Sequence, residues 1–164
     1  MNQANDFRIA DIKLDERSVI RRTPEIDHDR SVAIFDLLEE NHFAPAGSDG
    51  GPYALHLSIE EGRLVVDIRL EDGSAHGRHI FSLRPFSRVV KDYFEICASY
   101  YDAIKSSSPQ KIEALDMARR GVHDEAAELL RDRLDGKIDV DVDTARRLFT
   151  LISVLHLRPD GHVG

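Results

Sequence analysis

The stretch YALHLSIEEGRLVVDIRL, residues 53–70, decides the fold of this chain. Apolar and polar residues alternate on both sides of a short turn that contains Gly62. A period of two places the apolar side chains on one face of a β-strand, and a short turn with glycine joins two such strands into a hairpin. The residues of the apolar face are Tyr53, Leu55, Leu57, Ile59, Leu64, Val66, Ile68 and Leu70. This hairpin predicts an antiparallel sheet with one buried face.

Further strands are predicted on both sides of the hairpin. EDGSAHG (71–77) is typical of a second turn, and RHIFSL (78–83) is the next strand of an antiparallel meander. FRIADIKL (7–14) is predicted to be a first strand. The segment APAGSDGGP (44–52) is predicted to be a loop from its glycines and prolines. It is not a phosphate-binding P-loop, because no Gly-Lys-Ser/Thr follows.

Helical patterns surround this sheet. Thr23 is a good N-cap and Pro24 suits a first helical position, so a helix is predicted from Pro24 to Asn41. After Leu83 the apolar spacing is helical. The order predicts an α+β fold, in which a small antiparallel meander in the N-terminal half packs against a mostly helical C-terminal half. A length of 164 residues fits a single domain (1–164), with flexible ends predicted at 1–6 and 159–164.

The helix that starts near Pro85 contains VVKDYFEICASYYDAI (89–104), with the one cysteine and three of the four tyrosines. At about 100° per residue, the apolar and aromatic side chains of this stretch fill one arc of roughly 160°. Cys97 lies near the middle of that arc, which predicts a buried, inert thiol. Tyr93 and Tyr100 are predicted to pack in the core, and the alternative is a pocket lined by the tyrosines.

Gly121 is predicted to end the next helix, with Met117 and Val122 as the hydrophobic pair of a Schellman motif. The alternative is one continuous helix, because Leu115 to Leu130 also carries an unbroken apolar stripe. The break is the favoured interpretation. Either way, Gly136 is predicted to close the helical segment.

The last helix, TARRLFTLISVLHL (144–157), is predicted to begin at an Asp143 cap. It is apolar almost all round, so it is either the central buried helix or a subunit contact. Asp139, Asp141 and Asp143 alternate before it as in a calcium loop. That match fails, because Thr144 and Thr150 occupy the positions that need glycine and glutamate. His76 and His79 are predicted to be solvated turn residues, so neither a metal site nor a cofactor is predicted.

Composition restricts the partners. The formal net charge of −8 disfavours nucleic acid, so binding through Arg119/Arg120 and Arg146/Arg147 ranks lowest. One cysteine favours a reducing, cytoplasmic compartment. The polar N-terminus has no secretory signal pattern. The strongly apolar run 148–157 is about half the length that spans a bilayer, so no membrane contact is predicted.

One polar cluster is a candidate anion site. Arg78, Arg84, Ser87 and Arg88 surround the start of the helix near Pro85. A helix N-terminus offers free backbone N–H groups, and arginine binds phosphate or carboxylate in a bidentate manner. The alternative is that these surface arginines pair with carboxylates of the chain itself. The same two interpretations apply to a second cluster, in which Arg119, Arg120 and His123 flank Gly121.

Four stretches carry a resemblance to a known family. They are VAIFDLLEEN (32–41), GGPY (50–53), VVKDYFEICASYY (89–101) and GKIDVDVDTARRLFTL (136–151). Together they resemble uncharacterised protein family 0262 of the alphaproteobacteria. The resemblance implies a bacterial, cytoplasmic protein and assigns no catalytic residue.

Two functions follow as expectations. The first is a non-catalytic interaction or regulatory protein that acts through a protein partner or as a homo-oligomer, because no catalytic motif is found and the last helix is very apolar. The second is a binding protein or enzyme for a small anionic ligand, held by Arg84, Ser87 and Arg88 at the helix start near Pro85.

Overall fold

The computed structural model describes residues 6–18 and 23–156. Four helices and six strands are found in this part of the chain. Their order is β1 (Ile9–Leu14), α1 (Pro24–Glu39), β2 (Phe43–Pro45), β3 (Tyr53–Glu60), β4 (Arg63–Leu70), β5 (Ala75–Ser82), α2 (Ser87–Ser106), α3 (Pro109–Leu134), β6 (Ile138–Val140) and α4 (Val142–His156). Short 3-10 turns lie at Glu16–Ser18 and Arg84–Phe86. The fold is α+β, as predicted.

The main sheet has the order β1-β3-β4-β5. Strands β3, β4 and β5 form the predicted antiparallel meander, with Leu57 opposite Val66 and Val66 opposite His79. Strand β1 pairs with β3 in parallel, so the sheet is mixed rather than purely antiparallel. The reason is topological, because α1 lies between these two strands and carries the chain back to the same end of the sheet.

A second, two-stranded sheet joins the two halves of the chain. Strand β2 pairs with β6 in an antiparallel manner, with Phe43 opposite Val140. The predicted loop 44–52 therefore begins as a strand. The predicted extended segment IDVDVD is a strand only over its first three residues, because α4 starts at Val142.

Helix α4 is the central helix of the core. Phe149 and Leu151 are completely buried, and Leu155 is 1% exposed. The helix packs between α1 and α3 and also touches β3. Of the two alternatives for this apolar helix, burial within the fold is the one that the structure shows.

The predicted helix break at Gly121 is wrong, because α3 runs without interruption from Pro109 to Leu134. The apolar stripe continues through the glycine to Ala126 and Leu130, which are buried against the rest of the core. This packing stabilises the helix across Gly121. The left-handed conformation that ends a helix occurs instead at Gly136, with φ of 82°.

Two helix starts can be compared with their predicted caps. The Thr23 cap is confirmed, because its hydroxyl accepts a hydrogen bond from the backbone N–H of Ile26 at 3.1 Å. The Asp143 cap is wrong, since Oδ1 of Asp141 accepts from the N–H of Thr144 at 2.9 Å. Helix α4 begins two residues earlier than its apolar pattern indicates. Asp143 therefore lies inside the first turn.

Helix α1 ends at Glu39, before the predicted Asn41, because the side chain of Asn41 forms hydrogen bonds with β1 and with the last turn of α1. Its Oδ1 accepts from the N–H of Ile9 at 2.7 Å, and its Nδ2 donates to the carbonyl of Leu37 at 2.8 Å. Asn41 thus ties the end of α1 to β1. Within the described ranges, no helix has both the length and the apolar character needed to cross a membrane. Of the ends predicted to be flexible, 1–6 and 159–164, all residues but Asp6 lie outside the described ranges.

Candidate functional site

A cavity of about 340 Å³ lies where the four helices meet. We call it the helical cavity, and it is lined by residues of all four helices: His28, Asp29, Val32, Ala33, Asp36, Tyr93, Arg119, Arg120, His123, Asp143, Arg146, Arg147 and Thr150. Its walls follow from the packing, because α4 contacts both α1 and α3, and α2 contacts α3. Each helix turns its core face inward and brings the adjacent polar side chains to the same opening.

His123 is held in the wall of the helical cavity by two rings and two polar contacts. Its ring stacks on Tyr93, with centroids 5.3 Å apart, and lies 5.9 Å from the ring of Phe149. Its Nε2 donates to the carbonyl oxygen of Arg146 at 2.9 Å and lies 3.0 Å from Oγ1 of Thr150. Burial lowers the pKa of His123 below its usual value. The imidazole is therefore neutral at pH 7.

The hydrogen bond to a carbonyl determines the tautomer of His123. A carbonyl oxygen can only accept, so the proton of the neutral ring is on Nε2 and the other nitrogen, Nδ1, is an acceptor. Among the described residues, Nδ1 has no hydrogen-bond partner. The structure thus places an unused acceptor on a rigid, half-buried ring.

Three of the four arginines of the helical cavity are paired with carboxylates of the chain. Arg119 and Arg120 both contact Asp116, at 2.7 and 3.0 Å. Nε of Arg146 donates to Asp124 at 2.7 Å. Arg119 also lies over the ring of Tyr100, with its Cζ 4.3 Å from the centroid. These cations have their charge compensated within the protein.

Arg147 is different. It is half-buried on α4 and lines the helical cavity. Within residues 6–18 and 23–156 its guanidinium group has no hydrogen bond and no ion pair. A guanidinium group can form two parallel hydrogen bonds to a carboxylate or a phosphate. Arg147 is therefore the group of this cavity that is best able to receive an anion.

A second, smaller cavity lies on the other side of Tyr93. Its volume is about 230 Å³, and Tyr93 and Asp29 line both cavities. Both carboxylate oxygens of Asp29 accept from the hydroxyl of Tyr101, at 2.9 Å. Cys97 also lines this cavity, and burial raises the pKa of its thiol to about 11. The predicted burial of Cys97 is confirmed and its low reactivity stays a prediction, although Tyr101 and Tyr93 do border a pocket.

A third depression lies between the end of α3 and β6, with a volume of about 680 Å³. Two of its cations already have partners. Arg131 donates to the carbonyl of Val140 at 3.1 Å, and the ammonium of Lys137 lies 5.1 Å from the centroid of Phe81. The cations of this depression are therefore less available to an anion than Arg147 of the helical cavity is.

Two arginines of the predicted anion site have carboxylate partners. Nη2 of Arg78, on β5, lies 2.7 Å from Oε2 of Glu60, and both side chains are exposed. Nε of Arg88 lies 3.8 Å from Oδ2 of Asp92, one turn further along α2. These contacts match the alternative in which surface arginines pair with the chain's own acids.

The other two members of that site lie at the helix start, as predicted. Ser87 is the first residue of α2 and is half-buried, and Arg84 is exposed in the preceding 3-10 turn. The residue before α2, Phe86, provides no side-chain cap. The anion site at this helix start stays a prediction.

The three alternating aspartates that precede α4 each make a different contact. Asp139 contacts Nε2 of His42 at 3.1 Å, whereas Asp141 caps α4 and Asp143 binds Arg146 at 2.9 Å. In the described part of the chain, no group of three or more histidine, cysteine or acidic side chains is close enough to hold a metal ion.

The sequence pattern already singles out the basic residues of the helical cavity. Arg119, Arg120 and His123 form one predicted cluster, and the pairs Arg119/Arg120 and Arg146/Arg147 together form the predicted nucleic-acid contact that ranks lowest. Their convergence depends on the packing of α3 on α4, which local spacing does not show. Helical spacing on α1 does place Asp29 and Asp36, seven residues apart, on one face. This spacing is the sequence signal that points to the two acids of α1.

Comparison with known proteins identifies the family. The chain belongs to the uncharacterised protein family UPF0262, whose sequence profile matches residues 6–158. A UPF0262 protein of Agrobacterium fabrum is 57% identical over 155 residues, which are 94% of this chain and 98% of that protein. A UPF0262 protein of Nitrobacter winogradskyi is 58% identical over 149 residues, 91% of this chain and 89% of that protein. No solved structure gives a significant match. The family resemblance seen in the sequence is confirmed.

Proposed function

We propose that this chain binds a small molecule with an anionic group, such as a carboxylate or a phosphate, in the helical cavity. The observation that carries the proposal is the half-buried guanidinium of Arg147, which has no partner among the described residues. The proposed role is binding rather than catalysis. It is placed in the bacterial cytoplasm, in keeping with the bacterial relatives and the free thiol of Cys97.

Arg147 has more to gain from an anion than its neighbours have. Partial burial removes water from a charged group and raises the benefit of a hydrogen-bonded counter-charge. Arg119 and Arg120 share Asp116, and Arg146 has Asp124. An arriving anion would compete with these internal carboxylates for three arginines but would meet no such competitor at Arg147.

The remaining features of the helical cavity suit a small ligand. A volume of about 340 Å³ is at the lower end of the range for small-molecule sites. The rings of Tyr93, His123 and Phe149 form a packed wall, in which Tyr93 and Phe149 meet edge to face at 5.4 Å. A rigid wall lowers the entropy that is lost when a ligand binds.

Thermal unfolding in the presence of small carboxylates, phosphate monoesters and amino acids tests the proposal. A ligand at about 100 times its Kd stabilises the folded state by about 2.7 kcal/mol, which raises the Tm. Arg147→Gln should abolish that rise. Arg88→Gln, in the predicted site at the start of α2, should keep it. The proposal is overturned if none of these probes raises the Tm, or if R88Q loses the effect and R147Q does not.

A second candidate function is self-association through α1. Three apolar side chains of α1, which we call the α1 stripe, are exposed: Val32, which also borders the helical cavity, by 43%, Phe35 by 65% and Leu38 by 37%. The opposite face of α1 packs on the core through Ala33 and Leu37. A second copy of the chain would cover one α1 stripe with another in an isologous contact.

Sedimentation velocity at increasing protein concentration tests this second candidate. A dimer that dissociates in Phe35→Glu but persists in Met117→Glu would support it, because Met117 is equally exposed, at 67%, but lies on α3. A wild-type chain that stays monomeric, or a dimer that persists in F35E, would contradict it.

A further inference from the structure

The helical cavity contains an unpaired acid as well as an unpaired base. Asp36 lies on α1 and Arg147 on α4, and both side chains are half-buried in the cavity wall. In the described part of the chain, the carboxylate of Asp36 has no hydrogen-bond or ion-pair partner. The same holds for the guanidinium of Arg147. The cavity therefore has one available charge of each sign.

The other acids of the helical cavity are occupied. Asp29 accepts two hydrogen bonds from the hydroxyl of Tyr101, and Asp143 accepts one from Arg146. Among the described residues, Asp36 is thus the acid of the cavity without a partner, as Arg147 is the arginine without one. A ligand that enters the cavity meets these two groups as its available ionic partners.

This arrangement discriminates between ligands by their charge. A simple anion could pair with Arg147, but the uncompensated charge of Asp36 would repel it. A simple amine could pair with Asp36, but the uncompensated charge of Arg147 would repel it. A molecule with one group of each sign can pair with both residues and leaves neither charge uncompensated.

His123 adds a third constraint on the ligand. Because Nε2 donates to the carbonyl of Arg146, Nδ1 of the neutral ring can only accept a hydrogen bond. A carboxylate has no proton to donate, whereas an ammonium group has three. The unused acceptor of His123 therefore favours a ligand that carries an N–H donor.

We propose that the helical cavity binds a small zwitterion of the amino-acid class. Its carboxylate pairs with Arg147, and its ammonium group pairs with Asp36 and donates to Nδ1 of His123. The cavity volume of about 340 Å³ accommodates a molecule of this size. The inference rests on the proposed function and specifies the class of ligand that the same site binds.

Isothermal titration calorimetry with the twenty free amino acids, followed by two derivatives of the best binder, tests this inference. N-acetylation removes the positive charge, and the methyl ester removes the negative charge. Each derivative should bind about 10- to 100-fold more weakly than the free amino acid, since each loses a charge-assisted contact. Equal or tighter binding of the N-acetyl derivative overturns the zwitterion but leaves anion binding intact. If none of the twenty free amino acids binds, the zwitterion is overturned as well.

Two variants separate the inference from the proposed function. Arg147→Gln should weaken the free amino acid and its N-acetyl derivative alike, because both carry the carboxylate. Asp36→Asn should weaken the free amino acid but bind the N-acetyl derivative as well as wild type or better. Glu39→Gln, which removes a charge from exposed α1 surface, is the matched control and should leave both affinities unchanged. A D36N variant that keeps the wild-type preference for the free amino acid overturns the zwitterion.

Discussion

Nε2 of His123 donates a hydrogen bond to the carbonyl oxygen of Arg146 at 2.9 Å, and this contact joins α3 to α4 beside the helical cavity. The carbonyl belongs to the first turns of α4, where it also lies 3.3 Å from the hydroxyl of Thr150. A neutral, half-buried imidazole thus contributes to the packing of two helices. Its protonation would place a charge in a site that disfavours it.

Stability should therefore fall as the pH drops below about 6.5, the usual pKa of histidine. The pKa of His123 is lowered in the folded state, so the unfolded chain binds more protons between the folded and unfolded pKa values, and stability rises with pH in that window. One such group contributes up to about 1.4 kcal/mol per pH unit. Urea unfolding between pH 5 and 7.5 measures the slope.

Two histidine variants test whether His123 causes this pH dependence of stability. His123→Gln should be less stable at pH 7 but should show a smaller slope below pH 6.5. His28→Gln, which changes an exposed ring at the cavity rim, should retain the wild-type slope. Some slope will remain in H123Q, because burial also lowers the pKa of His79. Equal slopes in wild type and H123Q would contradict the assignment.

Gly121→Ala should stabilise the protein by about 0.5–1 kcal/mol, because alanine loses less backbone entropy than glycine inside a helix. Gly121 is exposed, and a Cβ atom there would meet nothing within 4 Å. Gly136→Ala is the matched opposite, since its φ of 82° should make alanine destabilising by about 1 kcal/mol. Chemical unfolding of both variants decides; a destabilised G121A would indicate that the helix does end there.

Asp141→Ala should cost about 1 kcal/mol of stability, because its carboxylate caps the N–H of Thr144. Asp143→Ala should cost less, since within the described ranges its side chain makes only an exposed ion pair with Arg146, and such pairs contribute about 0–1 kcal/mol. Thermal unfolding of the two variants measures the difference. The reverse order would support the cap assignment that the sequence pattern favours.

Cys97 should react slowly with a thiol reagent in the folded protein. Its side chain is 6% exposed, and a pKa of about 11 leaves little thiolate at pH 8. We expect the rate of reaction with Ellman's reagent to be at least about 100-fold lower than in urea, where the pKa returns to about 8.5. Rates within tenfold of each other would show that the helix opens readily around the cysteine.

The elements that the sequence predicted well have a strong local signal. The hairpin of β3 and β4 follows from alternation around Gly62, and the start of α1 follows from the Thr23 cap. The apolar arc of α2 placed Cys97 and Tyr93 in the core. In each case the pattern is set within about ten residues. Such patterns therefore survive in the folded chain.

The errors occurred where local signals compete with packing. Gly121 can end a helix, but the buried stripe of α3 extends past it to Leu134 and outweighs the propensity of one residue. Asp141 and Asp143 are both capable caps, and the antiparallel pairing of β6 with β2 determines where the strand stops and α4 begins. Parallel pairing of β1 likewise depends on the path of α1.

By itself, the sequence determined the α+β class, the meander, the buried face of α2 and the family. Only the tertiary structure decided that α4 is the central helix, and that Asp36, His123 and Arg147 share one cavity. The physical reason is the sequence separation over which each kind of interaction acts. Periodicity and capping act between residues a few positions apart, whereas this cavity joins side chains more than one hundred positions apart, through the packing of α1 and α3 on α4.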